Sequence, residues 1–307
     1  MKRNKVLQYL KWIWVVAIVI FISIFFYRNL PEAVDYLETI PFGFVVVSFA
    51  CVTLAKLFIV YLALLSVNTG EWRPSFMSMF TIFTVSQLGK YIPGSIWHFA
   101  ARINAYKENA LSNKKTAQVM LIENIWLVTG AAAFGMLSLS IHNKISGDAS
   151  LLFFQLPGWL WNLLPFLVIV FWIIGLFLLD RRFPAGNTGL TISRVFLLIM
   201  VQSGIWFFLG ISYYFLFTNA GAQNFFLILG GYALSWIAGY VVVFAPGGIG
   251  VRESVQVFLF SSIASPQQIV IVSLMHRMVY TIIEVILGLA GYLLSKRNPQ
   301  NPGHITG

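Results

Sequence analysis

Residues 245–253 read Ala-Pro-Gly-Gly-Ile-Gly-Val-Arg-Glu and interrupt an almost continuous apolar stretch from residue 225 to residue 263. A membrane tolerates such a break in a helix only where the backbone is buried in protein or lines a cavity. A second interruption, residues 87–98, reads Gln-Leu-Gly-Lys-Tyr-Ile-Pro-Gly-Ser-Ile-Trp-His. Pro246 lies 153 positions after Pro93, and a glycine follows each. Paired breaks in the two halves of a chain are typical of a transporter's binding site.

The composition is that of an integral membrane protein. Of the 307 residues, 59% are hydrophobic and 10% are charged, and the mean hydropathy is +0.82, whereas soluble domains have about 25% charged residues. The net charge of +10 does not indicate binding to nucleic acid, because most Lys and Arg residues flank apolar spans.

Cys51, the only cysteine, lies inside a span, which favours a role in inert packing. We expect no catalytic residue, no metal site and no cofactor.

Six apolar stretches approach the length of about 20 residues that a spanning helix needs. They are residues 12–28, 41–66, 117–141, 159–179, 194–217 and 268–294. The first follows basic residues as in a signal peptide, but it lacks a small-residue cleavage site, so we expect a retained span. Two further segments, 75–92 and 224–264, contain or abut the breaks. If both return to the side from which they enter, the chain crosses six times; if each crosses in two pieces, it crosses eight times.

The distribution of charge predicts the orientation. Thirteen Lys and Arg residues fall on one side of the spans and only Arg28 and Lys144 on the other. Both termini are therefore expected in the cytoplasm, with the chain in the cytoplasmic membrane. The predicted fold class is an all-α polytopic membrane protein, one domain over residues 1–307 with a polar tail at 298–307. The halves 1–145 and 155–297 each contain three crossings and one break, which predicts an inverted repeat.

Ionisable side chains inside spans are the first candidates for a functional site, because each costs about 2.5 to 3.5 kcal/mol to insert. They are Lys56, Lys90, Arg102, Glu123, Arg252, Glu253, Arg277 and Glu284. Glu123 and Arg277 occupy matching positions of the two halves, so a pseudo-twofold axis is expected to bring them together. Glu284 is expected to pair with Lys56 or Arg277, or to carry a proton.

The second break predicts an anion site. Arg252 and Glu253 precede a helix predicted over residues 254–263, and the amides at its start would point at an anion together with Arg252. Glycines permit positive φ angles and close approach of the backbone to a ligand, and inward-turned amides bind anions. The glycines concerned are Gly247, Gly248 and Gly250. Alternatively, they form only a tight turn, and Glu253 caps the helix.

The first break predicts a polar rim that contacts a lipid head group. Lys90 and Tyr91 share one helix face with Gln87, and His98 shares another with Arg102. The predicted rim consists of Lys90, Tyr91, Pro93, Gly94, His98 and Arg102. Alternatively, Lys90 and Arg102 extend to the membrane surface, and His98 is a hydrogen-bonded structural residue.

The two breaks, together with the helices of Glu123 and Arg277 in this order and spacing, resemble the membrane domain of lysylphosphatidylglycerol synthases. That domain belongs to the flippase-like integral membrane protein family, and the resemblance covers roughly residues 10–295. It implies the movement of a lipid between leaflets. The family's cytosolic aminoacyl-transferase domain has no counterpart before the sequence ends at Gly307, so the resemblance implies a stand-alone form. Ser95 stands where the family usually has Gly or Arg, which implies a different cargo if that position contacts it.

The leading hypothesis is therefore a lipid translocase for an anionic or phosphate-bearing lipid or lipid-linked glycan. The cations Lys90, Arg102, Arg252 and Arg277 would balance the head group, with Glu123, Glu253 and Glu284 compensating them or coupling transport to protons. A membrane glycosyltransferase with a polyprenyl-phosphate donor is the rival. Its acids would be Glu32, Asp35 and Glu38, in a loop that is short for an active site. A structural or assembly role is the third hypothesis, and a homo-oligomer or an envelope-biosynthesis partner is compatible with each.

Overall fold

The structure is a computed structural model that describes residues 31, 34–67, 72–91, 97–109, 111–146, 158–182, 192–218, 220–242 and 248–297. These residues form α-helices, short 3-10 turns and connections, with no strand among them. This confirms the predicted all-α class. The predicted first span at 12–28 and the polar tail at 298–307 lie outside the described residues.

The main α-helices of the described residues lie in the predicted apolar segments or directly follow the first break. They are α1 (Phe42–Val67), α2 (Phe76–Leu88), α3 (Trp97–Glu108), α4 (Asn113–Ser146), α5 (Gly158–Arg182), α6 (Ile192–Phe215), α7 (Phe225–Val241), α8 (Val251–Phe260) and α9 (Pro266–Arg297). Short 3-10 turns at Gly89–Tyr91 and Ala222–Asn224 extend α2 and precede α7. The first half thus contains α1, the pair α2 and α3 separated by the first break, and α4. The second half contains α5, α6, the pair α7 and α8 separated by the second break, and α9.

Five helical segments of the described chain are long and apolar enough to cross a membrane. They are Phe42–Val67, Asn113–Ile145, Ile192–Phe215, Ala222–Val241 and Pro266–Lys296. The protein is therefore a polytopic membrane protein. The predicted span at 159–179 forms α5, whose described apolar part is the shorter Phe166–Gly175. The segment containing α7 is long enough to span a membrane by itself, whereas the sequence predicted it only as the first part of a broken segment.

The helices α1 and α6 pack antiparallel along their length. Near one end, the hydroxyls of Ser48 and Ser212 are hydrogen-bonded and 2.7 Å apart. Near the other end, Arg194 donates from Nη2 to the carbonyl oxygen of Leu65 at 3.3 Å. The start of α1 and the end of α6 therefore share one end of the bundle, and the end of α1 and the start of α6 share the opposite end.

The helices α2 and α3 form a first hairpin that enters the bundle from the end where α1 finishes. The ring of Tyr106, late in α3, lies 5.7 Å from that of Trp72, which precedes α2. The Tyr106 hydroxyl donates to the sulfur of Met79, early in α2, at 3.8 Å. Arg102 lies over Phe83, 4.7 Å from its centroid. These antiparallel contacts return α3 to the end of the bundle from which α2 begins.

The helices α7 and α8 form a second hairpin that enters from the opposite end. The ring of Phe225, at the start of α7, lies 5.1 Å from that of Tyr214 near the end of α6. The ring of Phe260, at the end of α8, lies 5.9 Å from that of Phe217. Both ends of the second hairpin therefore lie beside the end of α6, as a re-entrant segment requires. The ten residues of α8 rise only about 15 Å, half the thickness of the hydrocarbon core.

The last helix of each half packs against the first hairpin helix of the other half. The last helix of the first half, α4, packs on α7 of the second, and the last helix of the second half, α9, packs on α2 of the first. Small residues permit both close approaches. A Cβ on Gly230 would lie 2.8 Å from the carbonyl oxygen of Gly135, and one on Gly288 would lie 2.6 Å from a methyl carbon of Leu88. With hairpins entering from opposite ends, this reciprocity supports the predicted inverted repeat.

Candidate functional site

The predicted site residues in the described part of the chain gather at the inner ends of the two hairpins and on the faces of α4 and α9 beside them. Three ion-pair clusters contain most of them. Pro93, Gly94 and Gly247 lie outside the described residues, so their predicted roles stay predictions.

The first cluster surrounds Glu284 of α9. Its Oε1 pairs with Lys56 of α1, and its Oε2 pairs with Lys90 at the inner end of the first hairpin. The hydroxyl of Tyr91 donates to Oε2 at 2.6 Å. Lys56 also lies 3.6 Å from the ring centroid of Tyr280. One buried carboxylate therefore serves two lysines, and the predicted pairing of Glu284 with Lys56 is confirmed.

The second cluster is a pair within the first half. Arg102 of α3 lies 3.0 Å from Glu123 of α4, between Nη1 and Oε1, and the two side chains are only 3% and 2% exposed. The alternative in which Arg102 extends to the membrane surface is therefore wrong. The pairing of Glu123 with Arg277 across a central axis is also wrong, because each of these residues faces the second helix of the hairpin in its own half.

The third cluster joins the start of α8 to α9. Oε1 of Glu253 lies 2.9 Å from Nε of Arg277 and accepts from the hydroxyl of Ser273 at 3.2 Å. Its Oε2 accepts from the backbone N–H of Gly250 at 2.7 Å. Glu253 therefore caps α8, as the alternative interpretation held. The helix begins at Val251 and ends at Phe260, not 254–263 as predicted, because the third helical residue caps its N-terminus.

The glycines of the second break have the backbone conformation that the sequence predicts. Gly248 has φ 68° and Gly250 has φ 85°. A Cβ on Gly248 would lie 2.7 Å from the Cα of Gly239 in α7. The close approach at Gly248 is therefore to protein backbone. The carbonyl oxygen of Gly248 also accepts from Nη2 of Arg277 at 3.3 Å, which holds the break against α9.

Arg252 stands apart from these clusters. Its guanidinium lies 5.7 Å from the ring centroid of Trp236, and Trp236 stacks on Tyr240 with centroids 4.9 Å apart. Its Nε is buried without a hydrogen-bond partner, and no carboxylate in the described ranges pairs with it. Sequence reasoning missed Trp236 and Tyr240 because aromatic residues in an apolar helix are ordinary packing residues.

Two further features lie near the inner ends of the hairpins. The hydroxyl of Tyr240, at the inner end of α7, donates to Oδ1 of Asn124 at 2.7 Å, beside Glu123. His98 lies near the start of α3, and its ring centroid is 3.9 Å from that of Phe99. Its Nδ1 is buried without a hydrogen-bond partner, which contradicts the structural alternative proposed for it.

Sequence reasoning also missed His276. Its ring is buried with edge contacts to Tyr213 and Tyr232, at centroid distances of 5.5 Å and 4.9 Å. Its Nε2 has no hydrogen-bond partner. The residue precedes Arg277, but nothing in the sequence distinguishes it from an ordinary core histidine.

The site carries more positive than negative charge. In the described interior, the cations are Lys56, Lys90, Arg102, Arg252 and Arg277, and the carboxylates are Glu123, Glu253 and Glu284. Five cations therefore face three carboxylates. The inner ends of both hairpins contact α9, at positions 277 and 284, which are separated by about 10 Å along the helix axis.

Three other features of the described chain are weaker candidates for a functional site: the loop acids of the rival glycosyltransferase hypothesis, possible metal ligands and an apolar cavity. Asp35 and Glu38 are exposed, and the hydroxyl of Tyr36 between them donates to the carbonyl oxygen of Leu216 at 3.0 Å. Glu32 lies outside the described residues. The described side chains contain no group of three or more His, Cys, Asp or Glu that could hold a metal ion. An open cavity of about 660 Å³ between α1, α2, α4 and α6 is lined mostly by apolar and aromatic residues, and its lining includes no Asp, Glu, His, Lys or Arg.

Comparison of the chain with models of known protein families and with curated proteins found no match.

Proposed function

We propose that this membrane protein is a lipid translocase that moves a lipid with an anionic head group between leaflets. The observation that carries the proposal is the excess of cations over carboxylates where the two hairpins contact α9. An uncompensated charge inside a membrane is costly, and such residues typically mark the path of a substrate or ion. An anionic head group would supply the missing negative charge.

The form of the fold supports translocation. The hairpins enter from opposite ends and reach a common polar region, so that region has one broken element towards each side of the membrane. Inverted repeats with broken helices around a central site are a common basis of alternating access. The acyl or prenyl tails would remain in the bilayer while the head group passes between the hairpins.

The sequence resemblance agrees with this function. We propose that the chain is a member of the flippase-like family that contains the lysylphosphatidylglycerol synthase membrane domain. In this proposal, it lies in the cytoplasmic membrane with both termini in the cytoplasm, and its cargo is a phosphate-bearing lipid or a lipid-linked glycan.

Reconstitution into vesicles tests the function. The purified protein is placed in vesicles that contain fluorescent phosphatidylglycerol or fluorescent phosphatidylcholine, and dithionite quenches the label in the outer leaflet. We expect the protein to expose the inner-leaflet phosphatidylglycerol faster than the phosphatidylcholine. Arg252→Ala should slow this movement by about tenfold or more, since a charge-assisted contact is lost.

The matched control is Arg73→Ala, which removes an exposed arginine in the connection before α2. This variant should move lipid at the unmodified rate. Rates equal to those of protein-free vesicles for every anionic lipid tried would refute the translocase. An equal loss in both arginine variants would show that Arg252 is not part of an anion site.

A further inference from the structure

We propose that the site contains two separate anion subsites, one at the inner end of each hairpin, and that the protein selects lipids whose head group carries two anionic groups. This inference rests on the proposed function and specifies its substrate class. A phosphodiester with a second phosphate, or a phosphate with an acidic sugar, would have the required chemistry.

The first subsite is formed by Lys90, at the inner end of the first hairpin. Lys56 and Lys90 share the single carboxylate of Glu284, so the cluster has one positive charge in excess. The side chain of Lys56 is only 6% exposed and lies over the ring of Tyr280, whereas that of Lys90 is 28% exposed. Lys56 alone suffices to neutralise Glu284, so the more exposed Lys90, although it also pairs with Glu284, supplies the excess charge to a ligand.

The second subsite is formed by Arg252. Glu253 is fully engaged, because its two oxygens serve Arg277, Ser273 and the backbone N–H of Gly250. Arg252, the neighbour of Glu253 in the chain, adds a second cation beside this cluster, and no carboxylate balances it, because it has no hydrogen bond or ion pair within the described residues. The ring of Trp236 faces one side of its guanidinium.

The remaining pair does not add to either subsite. Arg102 and Glu123 neutralise each other and are both buried, so the two excess charges lie in different clusters. A head group with one negative charge would compensate only one of them. Two anionic groups on one head group would compensate both.

The spacing suits a single head group. Glu284 and Arg277, which anchor the two clusters, are seven residues apart on α9, or about 10 Å. Tyr280 lies between them on the same helix. The Nζ of Lys90 is 5.1 Å from the centroid of the Tyr280 ring.

Matched short-chain lipids test the inference. Dioctanoyl phosphatidylinositol carries one phosphodiester, and dioctanoyl phosphatidylinositol 4-phosphate adds a second phosphate on the same head group. Binding to the purified full chain in an uncharged detergent is measured by calorimetry. We expect the second lipid to bind at least about tenfold more tightly, because the second contact is intramolecular once the first has formed.

Two variants assign the subsites. Lys90→Gln leaves the pair of Lys56 with Glu284, and Arg252→Gln leaves the pair of Glu253 with Arg277, so neither change strands a buried carboxylate. Each should lower the affinity for the 4-phosphate lipid to about that for phosphatidylinositol. Each should change the equilibrium affinity for phosphatidylinositol by about twofold or less, since the other subsite still binds it, although loss of either cation slows the movement of a monoanionic lipid past both subsites. Arg73→Gln is the control and should change neither affinity.

Equal affinity of the two lipids would overturn the inference, and so would loss of both affinities in one variant with no change in the other. Either result would indicate a single anion site. The translocase proposal would be unaffected, provided that phosphatidylglycerol still moves in vesicles. Failure to bind either lipid would overturn the inference alone, and failure to move any anionic lipid as well would refute the translocase with it.

Discussion

Glu253 and Arg277 lie 2.9 Å apart, from Oε1 to Nε, and this pair joins the start of α8 to the middle of α9. The corresponding pair of the first half is Arg102 with Glu123, at 3.0 Å, which joins α3 to α4. In both halves, the second helix of the hairpin is therefore tied to the long helix that follows it. The signs of the charges are reversed, since α4 supplies a carboxylate and α9 supplies a guanidinium.

Replacing Glu253 by alanine should destabilise the fold. The change removes the cap of α8 and leaves the buried Arg277 without its carboxylate, which typically costs about 3 to 5 kcal/mol. Arg252→Ala, one position earlier, should cost less than about 1 kcal/mol because it leaves every carboxylate paired. Thermal unfolding of both variants in the same detergent measures the difference. Similar melting temperatures would show that the contacts of Glu253 do not hold the second hairpin.

The pair of Arg102 and Glu123 should tolerate exchange of its members. Glu123→Gln alone should destabilise by about 3 to 5 kcal/mol, because it leaves Arg102 buried and uncompensated. Exchange of the two residues, Arg102→Glu with Glu123→Arg, should restore much of the loss. The control exchange, Glu123→Arg with Arg277→Glu, joins residues of different pairs and should restore nothing. Recovery of stability in the control would indicate that Glu123 pairs with Arg277 after all.

Cysteine labelling should show the two hairpins opening on opposite sides of the membrane. Lys107, late in α3, and Ser261, just after α8, are exposed at opposite ends of the bundle. In a Cys51→Ser background, Lys107→Cys and Ser261→Cys should react with a membrane-impermeant maleimide from different sides of sealed vesicles. Labelling of both from one side would contradict re-entrant hairpins in an inverted repeat.

Glycine at the crossing of α4 and α7 should be required for close packing. Gly230→Ala would place a Cβ 2.8 Å from the carbonyl oxygen of Gly135, which is backbone and cannot easily move. We expect a loss of about 1 to 3 kcal/mol, as for overpacking in a core. Gly43→Ala is the control, since its Cβ would have no neighbour within 4 Å. Equal melting temperatures would mean that the helices can separate without cost.

Local features of the sequence predicted the elements of this fold. Apolar stretches of spanning length predicted most of the long helices, because a bilayer requires an internally hydrogen-bonded backbone of a certain length. Pro246 and the glycines after it marked the second break for the same reason. The ends of α8 were less predictable, since capping by Glu253 depends on a rotamer that does not show in the order of residues.

The sequence by itself determined that the chain is a helical membrane protein with two breaks and with charged side chains that are costly to place in lipid. Only the tertiary structure decided which charges meet. Glu123 and Arg277 match in position, but a symmetry between halves relates equivalent residues without bringing them into contact. Each instead reaches the hairpin helix of its own half, and Glu284 reaches the hairpin of the other half. Partners of buried charges are set by which helix faces pack together, and that is a property of the whole bundle.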